Sequence, residues 1–203
     1  MSSNVVRRGG LAGVVAAMMW VLTAILNILA TPQRVSFDSF GDYLPQIVLL
    51  VAFAGTMVAI VGLHTLHSQS ARYGRLGAAG SLITFIGYAI VFVVTMISIS
   101  EGGASLLTVR LAGAAAVTIG SILLGASIIR TRILPWWCGV LLIIGFPVGD
   151  LSNGVHEGSE GILLGVLWGV VGYALLSRSG TVADQPSHVN RTSEKTSSSQ
   201  LGK

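Results

Sequence analysis

RYGRLGAAGSLITFIGYAIVFVVTMISIS, residues 72 to 100, contains one long apolar run. From position 76 to position 98 the run carries no charged side chain. Arg72 and Arg75 precede it, and Glu101 follows it. A helix of roughly 20 apolar residues crosses a hydrocarbon core of about 30 Å. The run is therefore predicted to be a transmembrane helix with basic residues at one end and an acidic residue at the other.

The rest of the chain has the same character. Its 203 residues are 52% hydrophobic and only 10% charged, and the mean hydropathy is +0.78. Because a soluble domain carries about 25% charged residues, the composition predicts a polytopic membrane protein whose main partner is the lipid bilayer. The net charge of +4 is spread over alternate loops, which indicates membrane topology rather than a nucleic-acid surface. No nucleic-acid partner is expected.

Six apolar spans predict an all-α fold, a polytopic transmembrane helical bundle. They cover residues 10–30, 44–66, 76–98, 105–129, 133–148 and 161–176. The last two are shorter than about 20 residues, so they either cross with help from their flanks, the preferred interpretation, or form a re-entrant hairpin. The first could be a signal peptide, but an uncleaved helix is preferred because its apolar core exceeds the usual length of about 7 to 15 residues. Residues 1–178 form the predicted membrane domain, and the Ser/Thr-rich residues 179–203 are predicted to be a disordered cytoplasmic tail.

The loop charges predict the orientation. Ten of the twelve basic residues lie on one predicted side: Arg7, Arg8, Arg72, Arg75, Arg130, Arg132, Arg178, Arg191, Lys195 and Lys203. Cytoplasmic loops carry an excess of Lys and Arg. Both termini are therefore predicted to be cytoplasmic, and Arg34 is the lone basic residue of the outer loops.

Arg110 is a permanent positive charge inside the small-residue run SLLTVRLAGAAAVTIG, residues 105 to 120. The 20 residues from 110 to 129 already form about 30 Å of helix, which places Arg110 at the outer boundary of span four. At helical spacing it shares a stripe with Gly113, Ala114, Val117 and Ser121. Small residues mark helix contacts in membranes, so the stripe is predicted to face the bundle.

Three interpretations of Arg110 remain open: an ion pair with an outer loop, contact with an anion or a lipid headgroup in an outward-facing vestibule, or simple snorkelling to water. The candidate binding residues are Arg110 and the charged or metal-capable side chains predicted on the same side: Arg34, Asp38, Asp42, Asp150, His156, Glu157 and Glu160.

The sequence predicts no catalytic residue, no metal and no cofactor. Asp150, His156, Glu157 and Glu160 have no spacing typical of a metal site. His64 and His67 fit a helix end near the interface better than a metal or a haem. No predicted span carries an acidic residue in its middle, which argues against an ion-coupled carrier.

Span six carries Gly161, Gly165 and Gly169 at intervals of four residues. This spacing puts three glycines on one helix face and allows close helix packing. The partner is either another helix of the bundle or a second copy of the chain, so a homo-oligomer through span six is one interpretation.

The stretches LHSQSARYGRLGAAGSL and RTRILPWWCGVLLIIG, at residues 66–82 and 130–145, resemble a group of small bacterial multi-pass membrane proteins of unknown function. The resemblance covers most of residues 10 to 176. It implies a bundle of about six helices in a bacterial inner membrane, and it brings no catalytic residues with it.

The leading functional hypothesis is a non-enzymatic membrane scaffold or interaction protein, because the spans lack the buried charges and nucleophile settings that chemistry needs. The alternative is a transporter or binding protein for a small molecule or lipid, with an outward-facing vestibule at Arg110. An intramembrane enzyme that uses the outer carboxylates and His156 is the third and weakest hypothesis.

Overall fold

The computed structural model describes residues 2–29, 40–69, 74–100, 106–153 and 160–183, and in these ranges the chain forms six helices and no strand. The helices are α1 (Ser2–Leu29), α2 (Phe40–Ser68), α3 (Gly74–Ser100), α4 (Leu107–Thr131), α5 (Trp136–Asn153) and α6 (Glu160–Ala183). Five of them are long and apolar enough to cross a membrane. The all-α membrane-helix prediction is therefore confirmed.

Helix α6 is longer than the apolar span from which it is predicted. The apolar part of α6 runs over Glu160–Ser179, which is 20 residues and long enough to cross. The helix also continues to Ala183, inside the predicted tail. The hydroxyls of Ser177 and Ser179 donate to backbone carbonyls one turn earlier, at 2.9 and 2.8 Å, so polar side chains are satisfied on the helix itself. Residues 184–203 lie outside the described part of the chain.

Helix α5 is the short one, as predicted. Its 18 residues extend about 27 Å, and its apolar part covers only Trp136–Gly149. Pro135 precedes the helix and Pro147 lies inside it. Of the last two helices, only α6 is long and apolar enough to cross a membrane, and it packs along α1. The hairpin alternative stays a prediction for α5.

Consecutive helices pack side by side, and α6 returns to α1, so the six helices form a closed ring. Each pair is antiparallel, which the glycine contacts show directly. A Cβ atom added at Gly9 near the start of α1 would lie 2.6 Å from the Cα of Gly62 near the end of α2. One added at Gly139 in α5 would lie 2.5 Å from the carbonyl oxygen of Gly125 in α4. Only glycine permits such close backbone approach.

The predicted glycine face of α6 packs on α1 of the same chain. A Cβ atom added at Gly161 would lie 2.7 Å from the Trp20 carbonyl oxygen, and one added at Gly165 would lie 2.9 Å from the Ala17 carbonyl oxygen. At Gly169 the nearest atom is 3.4 Å away, an ordinary contact. Packing within the bundle thus uses this face. A homo-oligomer through span six remains a hypothesis, and it would have to use another face of α6.

The alternating helices bring like residues to the same end of the ring. We call the end that holds the starts of α1, α3 and α5 the basic end; it carries Arg7, Arg8, Arg75, Arg130, Arg132 and Arg178. We call the opposite end the acidic end; it carries Asp42, Asp150 and Glu160 together with Arg110. The two ends differ in packing as well as in charge.

The basic half of the ring is densely filled. Leu63, Leu124, Leu134, Leu142 and Leu175 are at most 1% exposed. His67 is also fully buried and donates from Nδ1 to the Leu63 carbonyl oxygen at 2.9 Å, while His64 Nδ1 lies 2.9 Å from Ser81 Oγ and links α2 to α3. The two histidines were expected near an interface, and the structure gives them bonding partners within the bundle.

Candidate functional site

A cavity of about 500 Å³ lies between the helices in the acidic half. We call it the acidic-end cavity. All six helices contribute to its wall, which consists of Trp20, Leu49, Phe53, Tyr88, Val91, Leu107, Arg110, Leu111, Ala114, Val117, Thr118, Phe146, Glu160 and Leu164. Ligand sites have volumes of roughly 300–1,000 Å³ with mostly apolar walls and a few polar groups. The cavity has the size and the lining of such a site.

Aromatic rings form the inner part of the wall. The ring centroids of Trp20 and Phe53 are 5.2 Å apart, those of Phe53 and Tyr88 5.8 Å, and those of Tyr88 and Phe146 6.1 Å. These spacings are typical of edge-to-face and tilted aromatic pairs. The four aromatic side chains come from four different helices, so their contacts link these helices where the cavity ends.

Two hydrogen bonds fix the orientation of the aromatic rings. Trp20 Nε1 donates to Thr56 Oγ1 at 3.2 Å, and Trp168 Nε1 donates to the Tyr88 hydroxyl at 3.3 Å. Both donors are buried, and a buried indole N–H needs a partner. The aromatic wall is thus a preformed surface in which both indole N–H groups have acceptors. It offers mainly apolar contact to a ligand.

One face of α4 forms the longest side of the cavity. Leu107, Leu111, Ala114 and Thr118 recur on this face, with Arg110 beside them at helical spacing. From position 107 to position 118 the helix rises about 17 Å. The whole of α4, with 25 residues, rises about 38 Å. The cavity therefore follows less than half of α4, and Leu124 and Ile128, both fully buried, fill the half beyond it.

The predicted stripe of α4 agrees with its burial. Gly113, Val117 and Ser121 are buried, whereas Ala115 and Ile119 on the opposite side are exposed. The close partner of the stripe is α3: an added Cβ at Gly113 would lie 2.8 Å from Val91 Cγ2. The Arg110 side chain itself is exposed and lies at the mouth of the cavity.

The start of α4 adds positive potential near Arg110. The backbone N–H of Arg110 makes the first hydrogen bond of the helix, to the Leu106 carbonyl oxygen at 2.9 Å. The N–H groups of the first turn of an α-helix have no intrahelical acceptor, and the residue before the helix, Leu106, provides no side-chain cap for them. A helix N-terminus favours negative charge.

Of the predicted binding residues, the structure brings two together. Arg110 of α4 and Glu160, the first residue of α6, line the same cavity. Asp42 and Asp150 belong to α2 and α5 at the same end, but their side chains lie outside the described part of the chain, as do Arg34, Asp38, His156 and Glu157 altogether. The loop ion pair remains a hypothesis.

The aromatic wall is the part of the site that the sequence reasoning missed. None of its four residues, Trp20, Phe53, Tyr88 and Phe146, is among the candidate binding residues that the sequence predicts. The available signal is that α1, α2, α3 and α5 each carry an aromatic residue in the half nearer the acidic end, whereas α4 has no aromatic residue. Among the residues with described side chains, no group of three His, Cys, Asp or Glu is placed to hold a metal ion.

Comparisons with protein-family models, with curated proteins and with solved structures found no match to the chain.

Proposed function

We propose that the protein binds an amphipathic small molecule or a lipid in the acidic-end cavity. Arg110 receives an anionic group of the ligand at the mouth, and the aromatic wall receives its apolar part. The observation that carries this proposal is the combination of charged side chains at the mouth and an almost wholly apolar interior in one cavity. A charge-assisted hydrogen bond to the guanidinium orients the ligand, and the apolar interior accommodates its apolar part.

The proposal includes an orientation and a location. We place the acidic end on the outer side of a bacterial inner membrane and both termini in the cytoplasm. The distribution of Lys and Arg along the chain supports this orientation. In this orientation, the cavity opens toward the outer leaflet and the densely filled basic half faces the cytoplasm.

The packing supports binding in preference to an open channel. An open channel would need a continuous path through the basic half, where Leu63, Leu124 and Leu142 are fully buried. Transport would require this half to open while the ligand is bound. The packing therefore supports a binding site that is closed toward the basic end, and a transport step is a separate question for a flux assay.

The scaffold role remains a hypothesis. The reason for it was the lack of chemical groups within the spans, whereas the cavity is a specific feature that favours ligand binding. The enzyme hypothesis depends on His156 and Glu157, which lie outside the described residues. Neither hypothesis is needed to explain the cavity.

Native mass spectrometry of the full chain released from lipid nanodiscs tests the proposal. Wild-type protein is expected to retain a reproducible extra mass. Arg110→Ala should lower the retained fraction at least tenfold, since it removes a charge-assisted contact of about 1.5–3 kcal/mol. Arg130→Ala is the matched control, because Arg130 is an exposed arginine at the other end of the same helix, and it should retain the mass. A clean wild-type mass would reject ligand binding and favour the scaffold hypothesis.

A further inference from the structure

The charges at the mouth of the acidic-end cavity have opposite signs. Arg110 comes from α4 and Glu160 from α6. Glu160 is the first residue of its helix, where the helix dipole favours a negative charge. A purely anionic ligand at Arg110 would meet repulsion from Glu160, and a purely cationic one at Glu160 would meet repulsion from Arg110. A ligand that carries both charges matches the pair.

The lining of the cavity on α4 reaches the outer surface of the bundle. Leu107 and Leu111 line the cavity and are nevertheless 60% and 59% exposed. Leu107 is the first residue of the apolar span Leu107–Thr131, and Leu111 lies one turn further in. One turn of helix is about 5.4 Å. These two leucines therefore lie at the level where lipid headgroups meet acyl chains.

Apolar side chains also cover the sides of α4 that face away from the cavity. Val109 is 45% exposed and Ile119 is 55% exposed. In a membrane-spanning helix such residues face lipid chains. A molecule that reaches the cavity along α4 therefore comes from the bilayer, with its charged end held at the interface and its chain already among apolar side chains.

We propose that the ligand is a zwitterionic phospholipid that enters the cavity from the surrounding bilayer, past the exposed leucines of α4. Its phosphodiester contacts Arg110, its ammonium contacts Glu160, and one acyl chain extends into the cavity toward Phe53 and Tyr88. The inference rests on the proposed function and adds the headgroup class and the route. It makes Glu160 the residue that distinguishes a zwitterionic headgroup from an anionic one.

The test uses the full chain in nanodiscs that contain equal amounts of an ethanolamine phospholipid and a glycerol phospholipid with identical acyl chains. Native mass spectrometry then measures the ratio of the two lipids retained. Wild-type protein should retain the zwitterionic lipid in excess. Glu160→Gln should lower the ratio about tenfold or more, because the ammonium loses a charged partner and the anionic lipid loses its repulsion. Glu160→Asp keeps the carboxylate and should keep the preference.

The outcomes separate this inference from the proposed function. If Arg110→Ala loses bound lipid but Glu160→Gln leaves the ratio unchanged, lipid binding stands and the zwitterion inference is wrong. If wild-type protein retains no lipid, the proposed function itself is wrong. Arg130→Ala should change neither quantity.

Two measurements on wild-type protein avoid any folding defect of the variants. An N-acylated ethanolamine phospholipid keeps the phosphate and lacks the ammonium, so it should be retained at least tenfold less; equal retention overturns the role of the ammonium. Glycerophosphoethanolamine has the headgroup without the chains and should not displace the bound lipid. If it does so at micromolar concentration, the ligand comes from water and the lateral route is overturned.

Discussion

Replacing Ala114 by leucine tests whether the acidic-end cavity is real and whether it is the binding site. Ala114 is partly buried and lines the cavity from the middle of the α4 face. The substitution adds three carbon atoms, and about 500 Å³ is available to receive them. At about 0.8 kcal/mol for each buried carbon, the gain in free energy of unfolding is at most about 2.4 kcal/mol. It falls toward zero where lipid already fills the space.

A matched substitution elsewhere separates this effect from the general cost of a larger side chain. Ala16 in α1 is fully buried, and a Cβ atom added at the neighbouring Gly55 would lie 3.0 Å from the Ala16 Cβ. This interior has no room for three more carbon atoms. Overpacking of such a site costs about 1–3 kcal/mol. Ala16→Leu should therefore destabilise the protein, while Ala114→Leu leaves stability unchanged or raises it.

The assay follows unfolding in mixed micelles as the fraction of sodium dodecyl sulfate increases, and native mass spectrometry gives the retained lipid for the same samples. Ala114→Leu should lower lipid retention at least tenfold, since the added side chain occupies space that the ligand needs. If Ala114→Leu destabilises the protein as strongly as Ala16→Leu does, Ala114 lies in a packed interior and the reasoning from the cavity is refuted.

Three further outcomes are expected. Gly172→Ala should lower the free energy of unfolding by about 1–3 kcal/mol, because the added Cβ would lie 2.8 to 3.0 Å from backbone atoms of α1. Gly169→Ala is the control and should be neutral or stabilising. Equal costs for the two substitutions would contradict the α1–α6 packing. Thr56→Val should cost about 1–3 kcal/mol by leaving the Trp20 indole N–H without its acceptor, and the same unfolding titration measures this loss. Alkaline phosphatase fused after residue 203 should be inactive and a fluorescent protein fused there should fluoresce, as a cytoplasmic C-terminus requires; the opposite pair of results would reject the orientation.

The sequence predicts the helices well because their signal is the length of uncharged runs. It also predicts which face of α4 is buried, since Gly113 and Val117 mark that face. Helix packing in a membrane depends on small residues that allow two backbones to approach closely, and these residues can be recognised in the sequence. The glycines at 161 and 165 in α6 follow the same logic, and the structure identifies α1 as their partner.

The cavity could not be predicted in the same way. Lipid chains are as apolar as a protein interior, so a hydrophobic pattern does not distinguish an inward leucine from a lipid-facing one. Leu142 is fully buried and Leu82 is 59% exposed, although both lie within apolar runs. A cavity forms where side chains do not fill the space between helices, and this depends on how far the helices diverge. Only the arrangement of all six helices brings Arg110 and Glu160 to one mouth.

Photolabelling with a phospholipid that carries a diazirine at the end of one acyl chain gives the most direct test of ligand binding in the cavity. The full chain is irradiated in nanodiscs, and the labelled peptides are mapped. The structure predicts label on the inward-facing Phe53 and Tyr88, with loss of that label in Ala114→Leu. Label confined to outward-facing side chains such as Leu82 and Ile119, and unchanged by Ala114→Leu, would contradict the binding of a lipid in the acidic-end cavity.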